Sequence, residues 1–448
     1  MKRNTKIAIL GGGESGTGAA ILALKKGYKV FLSDNGPIKD KYKSVLKNYE
    51  IGFEENGHTF KRILDADLVI KSPGIPDQVP VVSMAKEKGI PVISEIEFAG
   101  RFTKAKKICV TGSNGKTTTT LLLHHILENA GVKVGLAGNV GNSFAWQVAI
   151  REFDVYVLEI SSFQLDGMFD FKAEIAILLN ITPDHLDRYE GNFEKYARSK
   201  FRILQNQTEN DALIYCYDDP VITQRLNKST MRMQLYPFSL MEMDFGQGAY
   251  LKEENIVIKT HNKPFIMTLE QLALQGKHNI YNSMAAGIAA RLMDIRNDSI
   301  KQSLSDFHNI PHRLEYVASV HGITFINDSK ATNLNSTWYA LEYLDKPIVW
   351  IAGGIDKGND YSMISDLVKE KVKAIICLGV NNKKLFDAFG KKLKSMVETT
   401  TMEQAVISAY HIAKKGDVVL LSPACASFDL FENYEDRGNQ FKEYVREL

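Results

Sequence analysis

Lys116 and Thr117 stand at the end of the run Ile108-Cys109-Val110-Thr111-Gly112-Ser113-Asn114-Gly115-Lys116-Thr117-Thr118. An apolar stretch ends there in a glycine-rich turn, and a helical run to Ala130 follows. In this strand–turn–helix layout, backbone N–H groups from Gly112, Ser113, Asn114, Gly115 and Thr118 can wrap phosphate oxygens, and the helix N-terminus adds partial positive charge. A lysine after the second glycine can reach β/γ-phosphates, and the next hydroxyl can hold Mg²⁺. The general P-loop pattern has four residues between its glycines. Here Gly112 and Gly115 enclose two, and the earlier position is Val110. An ordinary glycine-rich turn is the competing reading.

Three further residues could work beside that turn. Glu159 lies near the end of a strand read from Asp154 to Ile160, where a carboxylate suits Mg²⁺ held against phosphates. A solvated strand end is the alternative. His185 follows the apolar run Glu174 to Leu179 in Asn180-Ile181-Thr182-Pro183-Asp184-His185-Leu186-Asp187; alone, it reads as a hydrogen-bonded loop residue. Lys200 is the most informative. On a helix from Phe193 to Gln205, Phe193, Tyr196, Ala197, Phe201, Ile203 and Leu204 form an apolar face, and Lys200 lies within it. Its head could snorkel to water. Alternatively, a desolvated lysine has a lowered pKa and presents neutral amine. Such an amine can react with CO₂ to give a carbamate, which turns a cation into a metal ligand.

These residues need a scaffold of parallel strands. Strand, loop and helix alternate through the middle of the chain, so a parallel sheet with helices on both faces is expected. The N-terminal third has the same rhythm. Lys6 to Leu10 reads as a buried strand, followed by Gly11-Gly12-Gly13-Glu14-Ser15-Gly16, a helix to Lys26, and a strand from Tyr28 to Ser33 ending at Asp34. That is a dinucleotide fingerprint. It promises a phosphate-rich ligand without choosing between NAD and UDP, so a dehydrogenase stays open. Glu14 is awkward in an anion-binding loop unless it points to solvent. A strand from Asp67 to Ile70 leads into Ser72-Pro73-Gly74-Ile75-Pro76, a turn where open α/β sheets bind ligands. A basic stretch at 101–107 marks a boundary near 103.

The region 211–269 carries strands but no chemistry that can be named from residue types. Asn279, ahead of an alanine-rich helix, could contact a base or cap that helix. Pro311-His312-Arg313-Leu314 reads as a linker. Beyond it, charged residues recur at strand ends: Asp328 and Lys330 after Thr324 to Ile326, and Lys357 after Pro347 to Ala352. A shared sheet edge would make these a site for anions and nucleotide.

Composition narrows the class. The 448 residues, 44% hydrophobic and 24% charged, suit a multidomain soluble globular protein. The net charge of +2 makes no case for nucleic acid or membrane as the main partner. Four cysteines without metal spacing read as reduced thiols in a cytoplasmic protein.

Taken together, the motifs resemble the Mur ligases. The resemblance runs through Ser-Pro-Gly-Ile-Pro at 72–76, Thr-Gly-Ser-Asn-Gly-Lys-Thr-Thr at 111–118, Leu-Glu-Ile-Ser-Ser-Phe-Gln-Leu at 158–165 and Asn-Ile-Thr-Pro-Asp-His-Leu-Asp-Arg at 180–188. It continues through Asn-Asp-Ser-Lys-Ala-Thr-Asn at 327–333, Gly-Gly-Ile-Asp-Lys-Gly at 353–358 and Leu-Ser-Pro-Ala-Cys-Ala-Ser-Phe-Asp at 421–429. The last two runs resemble the branch that adds D-glutamate, and the shortened P-loop is the family's own form. The resemblance implies an α/β chain of three domains. Residues 1–103 would be a Rossmann-like UDP-binding domain, 104–310 a central P-loop ATPase-type parallel-sheet domain, and 311–448 a Rossmann-like C-terminal domain. The implied reaction is ATP-dependent ligation of D-glutamate to UDP-N-acetylmuramoyl-L-alanine, by a cytoplasmic monomer that closes its domains around the substrates.

Residue by residue, it implies that Ser15, Asp34 and Gly74 lie near UDP, and that Asn139 and Gln164 contact the muramoyl group. Gly112 to Thr118, Asn279, Arg313, Asp328 and Lys330 would bind ATP. Thr117 and Glu159 would hold one Mg²⁺; His185 and carbamylated Lys200 would attend a second. Thr332, Lys357, Ser422 and Phe428 would surround D-glutamate. Lys116, Glu159, His185 and Lys200 would be the catalytic set.

Overall fold

The computed structural model describes residues 5–228, 230–243, 245–261, 263–307, 311–393 and 395–448. The chain divides into two compact units, 1–307 and 308–448.

The first unit contains two sheets. Its five-stranded sheet runs in the order Gly52–Glu54, Lys29–Ser33, Lys6–Leu10, Leu68–Lys71, Val92–Ser94, all parallel. Chain order reverses between Lys6–Leu10 and Leu68–Lys71, which creates the crevice where open α/β sheets bind ligands. The nine-stranded central sheet runs Phe265–Thr268, Asn255–Lys259, Gly248–Lys252, Gln234–Ser239, Ala212–Cys216, Ile175–Leu178, Lys106–Thr111, Val155–Glu159, Val134–Gly138. Its last seven strands in that order are mutually parallel, and the first two extend them antiparallel. The parallel strands are continuous apolar runs because helices cover both faces: all of Val155–Glu159 and Ile175–Leu178 is buried. Each such isoleucine or leucine contributes about 1.5–3 kcal/mol by leaving water. Phe265–Thr268 instead alternates buried and exposed, as an edge strand does.

Expected strand ends move by a residue or two. The strands that escape sequence reading are short or irregular. Gly52–Glu54 has three residues, and Gln234–Ser239 carries Pro237 in its middle, which argues against a ladder strand. The register nevertheless pairs Pro237 with Tyr215. Burial of Tyr236 and Phe238 outweighs the missing donor.

The two sheets of this unit are joined through acidic residues. The helix Glu95–Gly100 begins at the Ser94 cap and buries Glu95 and Glu97. Glu97 accepts the N–H groups of Phe169, Asp170 and Phe171 through one oxygen and pairs Arg101 through the other. Glu95 Oε1 accepts Ser143 Oγ–H at 2.8 Å and Ala145 N–H at 2.5 Å. Burial pushes the Glu95 carboxyl up to about 7, against those two bonds, with the Glu14 charge adding to the rise. Between the ordinary carboxylate value and about 7 the folded chain holds a proton that the unfolded chain has released. Stability therefore falls as pH rises through this window. Glu95→Gln keeps an acceptor and carries no charge. We expect it to melt higher than the parent at pH 8, by up to about 3 kcal/mol of stability, with the gap closing by pH 4. A gap independent of pH in thermal melts would contradict this.

The second unit carries a six-stranded sheet in the order Glu315–Val320, Ile323–Asn327, Val418–Leu421, Ile348–Ala352, Val372–Leu378, Met396–Thr399, parallel except for the first pair. Apolar clusters fill both faces, one around Trp350, Leu341 and Phe389, the other around Phe325, Val406 and Phe441. The four cysteines are free and buried. Among the described residues no helix is long and apolar enough to cross a membrane.

Candidate functional site

Lys116, Thr117, Glu159 and Lys200 gather around the P-loop turn of the first unit, at the carboxyl ends of neighbouring central strands. The turn 112–115 follows Lys106–Thr111, and the helix Lys116–Asn129 starts at Gly115. Gly115 is left-handed, with φ of 83°, and a Cβ there would lie 2.5 Å from Asn282 Oδ1. Gly115→Ala is therefore strained in backbone and crowded in space. We expect it to lose about 1–3 kcal/mol of stability and to weaken ATP binding, read by thermal melts and nucleotide titration.

Lys116 curls over the turn, its Nζ donating to the carbonyls of Gly112 at 2.9 Å and Ser113 at 2.8 Å. Ser113 Oγ bonds the Thr182 backbone on both sides and lies 2.9 Å from the Tyr196 hydroxyl. Asn114 N–H donates to Asn180 Oδ1, which fixes the turn to the loop after Ile175–Leu178. Thr118 is buried in the helix's first turn. Thr117 Oγ1 donates to Glu159 Oε2 at 2.6 Å, and Asn139 Nδ2 donates to Glu159 Oε1 at 2.8 Å. Glu159 is 1% exposed, so it is not a solvated strand end.

Lys200 settles its alternatives by burial. It is 2% exposed on the helix Phe193–Phe201, with Nζ 2.7 Å from the Gly112 carbonyl and 4.7 Å from the Tyr196 ring centre. The head does not reach water, so the side chain does not snorkel. Two amines thus converge on one carbonyl. Burial first, and the Lys116 charge second, hold the Lys200 pKa well below the ordinary lysine value. Its neutral form is the one this site favours.

His185 has φ of 53° and leads into the single turn Leu186–Tyr189. Its ring packs edge-on to Phe163 at 5.2 Å, and its Nε2 lies 3.7 Å from Asp184 Oδ2. Asn279 is not a cap: the helix Lys277–Leu292 begins at Gly276, and Asn279 sits in its first turn, donating to the Gln275 carbonyl and accepting from Asn282. Gln164 Oε1 closes a capping box with Ser161. Asn180, Tyr196 and Asn282 were missed. Two asparagines three apart on one face of an alanine-rich buried helix, Asn279 and Asn282, were a usable signal. Among the described residues no three His, Cys, Asp or Glu side chains gather as a ready cation cage.

At the switch point of the five-stranded sheet lies a cavity of about 720 Å³, lined by Gly11, Glu14, Ser15, Asp34, Ser72 and Gly74 among others. Asp34 stitches its rim, Oδ2 accepting Gly12 N–H at 2.5 Å and Oδ1 accepting Gly36 N–H at 2.8 Å.

In the second unit, Arg313 sits between His312 and Leu314, both left-handed with φ of 63° and 42°. Asp328 is buried; its oxygens accept the Leu314 N–H and the Ser422 hydroxyl. Burial pushes its carboxyl up to about 7, opposed first by the Ser422 bond and then by the Arg313 charge. Lys330 Nζ stands 5.0 Å from the Tyr434 ring centre. Thr332 follows in the same loop, its N–H donating to the Lys330 carbonyl. Ser422 is fully buried, bonded to Asp328 and Thr337, whereas Lys357 is exposed and Phe428 is 70% exposed. The structure therefore joins Asp328 to Ser422.

A glycine turn carrying lysine, a hydroxyl beside a buried carboxylate and a parallel sheet together define a nucleotide-binding enzyme of the phosphoryl-transfer kind. Family descriptions match three stretches: "MurD N-terminal domain" over 6–81, "Mur ligase middle domain" over 110–290, and "Mur ligase, glutamate ligase domain" over 312–425. A Christiangramia forsetii protein named UDP-N-acetylmuramoylalanine--D-glutamate ligase is 58% identical over 99% of each chain. A Bacteroides fragilis protein of the same name is 56% identical over the full length of both. The fold is shared with UDP-N-acetylmuramate-alanine ligase MurC of Thermotoga maritima, at a TM-score of 0.64 and 17% identity over 99% of this chain and 100% of that one. It is also shared with the MurF ligase of Thermotoga maritima in complex with ADP, at 0.60 and 16% over 86% and 91%. The chain belongs to the Mur ligase family.

Proposed function

We propose that this ligase joins D-glutamate to UDP-N-acetylmuramoyl-L-alanine at the expense of ATP, in the cytoplasmic assembly of peptidoglycan precursors. The observation that carries the chemistry is the convergence of the Lys116 and Lys200 amines on Gly112, beside the Thr117–Glu159 pair. The substrate specificity rests on the full-length relatives.

The γ-phosphoryl of ATP passes to the alanyl carboxylate, giving an acyl phosphate and ADP. The D-glutamate amine then attacks the acyl carbon, and the tetrahedral intermediate expels phosphate. Lys116 neutralises the phosphates from the turn, and the Gly112 to Thr118 N–H groups orient them. Asn279, Arg313, Asp328 and Lys330 complete the ATP contacts. Ser15, Asp34 and Gly74 bind UDP, and Asn139 and Gln164 the muramoyl group. Lys357, as a fixed cation, takes a D-glutamate carboxylate, with Thr332, Ser422 and Phe428 around it. Because Ser422 is buried against Asp328, its part there is to position rather than to touch.

The donor set fits Mg²⁺. Glu159 and Thr117 offer oxygens for one ion. A second beside Lys200 fits only if that residue is an anion, because an ammonium there would repel it. Addition of CO₂ to the neutral amine would form the N–C bond, release a proton and leave a carboxylate that could hold the ion, and His185 would be a further ligand. The ions would neutralise charge on the transferring phosphoryl group.

Phosphate release from ATP should require UDP-N-acetylmuramoyl-L-alanine and D-glutamate together, with L-glutamate, lysine and diaminopimelate inactive in parallel assays. Release with one of those instead would keep the ligase and replace the assignment of Lys357.

A further inference from the structure

Glu14 is the residue in the first glycine loop that an anion site does not call for, and its half-buried side chain is tied to a partner rather than standing free in solvent. Its Oε1 accepts the Ser143 N–H at 2.8 Å, crossing from the five-stranded sheet to the central one. We infer that Glu14 is a positioning residue that holds the 139–143 turn in register with the nucleotide loop, so that one substrate molecule is gripped by two loops set at a fixed spacing. The inference rests on the UDP-sugar reading proposed above.

The two sides of this contact lead to opposite ends of that substrate. On one side, Glu14 borders the 720 Å³ cavity next to Ser15 and opens the helix Glu14–Lys25. On the other, Ser143 lies four residues past Asn139, within a tightly closed turn. Asn139 N–H donates to the Glu159 carbonyl at 2.9 Å, and Ala137 bridges Asn142. Asn139 Nδ2 meanwhile holds Glu159, which holds Thr117. A run of bonded groups therefore leads from the nucleotide cavity to the phosphoryl-transfer site.

The surroundings leave little slack. Glu14–Lys25 packs along Phe144–Ile150, and a Cβ at Gly18 would stand 2.3 Å from Ser143 Oγ, so the backbones approach as only glycine permits. Ser143 Oγ and Ala145 N–H are taken by Glu95. The negative charge of Glu14 suits the two helix N-termini it stands at, and is opposed by Glu95, whose carboxyl it helps to push up, and by a nearby diphosphate. What the site uses is the acceptor oxygen at the right reach. Glutamine has the same reach, aspartate is one methylene short, and alanine has no acceptor.

Four proteins test this: the parent, Glu14→Gln, Glu14→Asp and Glu14→Ala. The readouts are KM for UDP-N-acetylmuramoyl-L-alanine, KM for ATP and Kd for UDP alone. Glu14→Ala should raise the KM for the muramoyl substrate about tenfold, because small misplacements of binding groups are costly, while Kd for UDP and KM for ATP move less than about twofold. Glu14→Gln should match the parent. Should Glu14→Ala fail to fold, Glu14→Asp against Glu14→Gln carries the same comparison. Equal shifts in UDP and muramoyl-substrate affinity, or a glutamine variant as impaired as alanine, would overturn the inference. A parent protein that does not turn over the muramoyl substrate would overturn the function proposed above instead, which the Kd for UDP reports separately.

Discussion

Lys200→Ala is expected to lower turnover about a thousandfold, the scale of losing a preorganised charge at a phosphoryl-transfer site. Added acetate or another short carboxylate should restore part of the rate by filling the space of the lost side chain with an oxygen ligand. The structure sets the reason. Lys200 is buried with its Nζ on the Gly112 carbonyl, and burial together with Lys116 lowers its pKa. A neutral amine at that place is reactive toward CO₂, and a charged one is poorly tolerated.

The same burial has a cost in stability. In the range between its lowered folded pKa and the ordinary lysine value, the unfolded chain binds a proton that the folded chain does not. Stability attributable to Lys200 therefore rises with pH across that range. Lys200→Met, close in volume and without charge, should be inactive yet more stable by about 1–2 kcal/mol at neutral pH, with the gain shrinking as pH approaches 10. Full activity of Lys200→Ala without added carboxylate would dismiss the carbamate. A methionine variant less stable than the parent would dismiss the desolvation argument.

Lys116→Ala is expected to cost about a thousandfold or more in kcat/KM through lost neutralisation of the phosphates. It has a second, separable consequence. The Lys116 charge is the largest influence after burial that keeps Lys200 neutral. Removing it should move the Lys200 pKa back toward the ordinary value and leave less amine to capture CO₂. The carbamate signal in carbon-13 NMR under labelled CO₂ should accordingly be weaker in Lys116→Ala than in the parent at the same pH. An undiminished signal alongside lost activity would show that the two lysines act independently.

Much of this site was legible because its signals are local. A turn such as Gly112 to Thr118 is built by consecutive residues, and the glycines, lysine and hydroxyl announce it whatever surrounds them. Lys200 was legible for the opposite reason. A charge in an otherwise apolar helical face contradicts the pattern around it, and such contradictions are where function is found. The parallel strands were legible as continuous apolar runs. Their exact ends were not, because one residue of ladder depends on the neighbouring strand. Gln234–Ser239 stayed hidden because Pro237 speaks against a strand locally, while pairing with Ala212–Cys216 decides otherwise.

What the sequence by itself determined is the list of chemical groups and the alternation of strands and helices that sets many of them at the carboxyl ends of parallel strands. What only the tertiary structure decided is their state and partners. Spacing left Glu159 free to be a solvated strand end and Lys200 free to snorkel, and burial closed both options. Spacing also left Asn279 free to be a cap, and a helix starting at Gly276 placed it inside the first turn. Glu14 is the clearest case. Its neighbours in sequence make it an obstacle to anion binding, and its neighbour in space, Ser143, 129 positions away, makes it a bridge. Dielectric surroundings and long-range partners depend on the whole packed chain, so no window of sequence contains them.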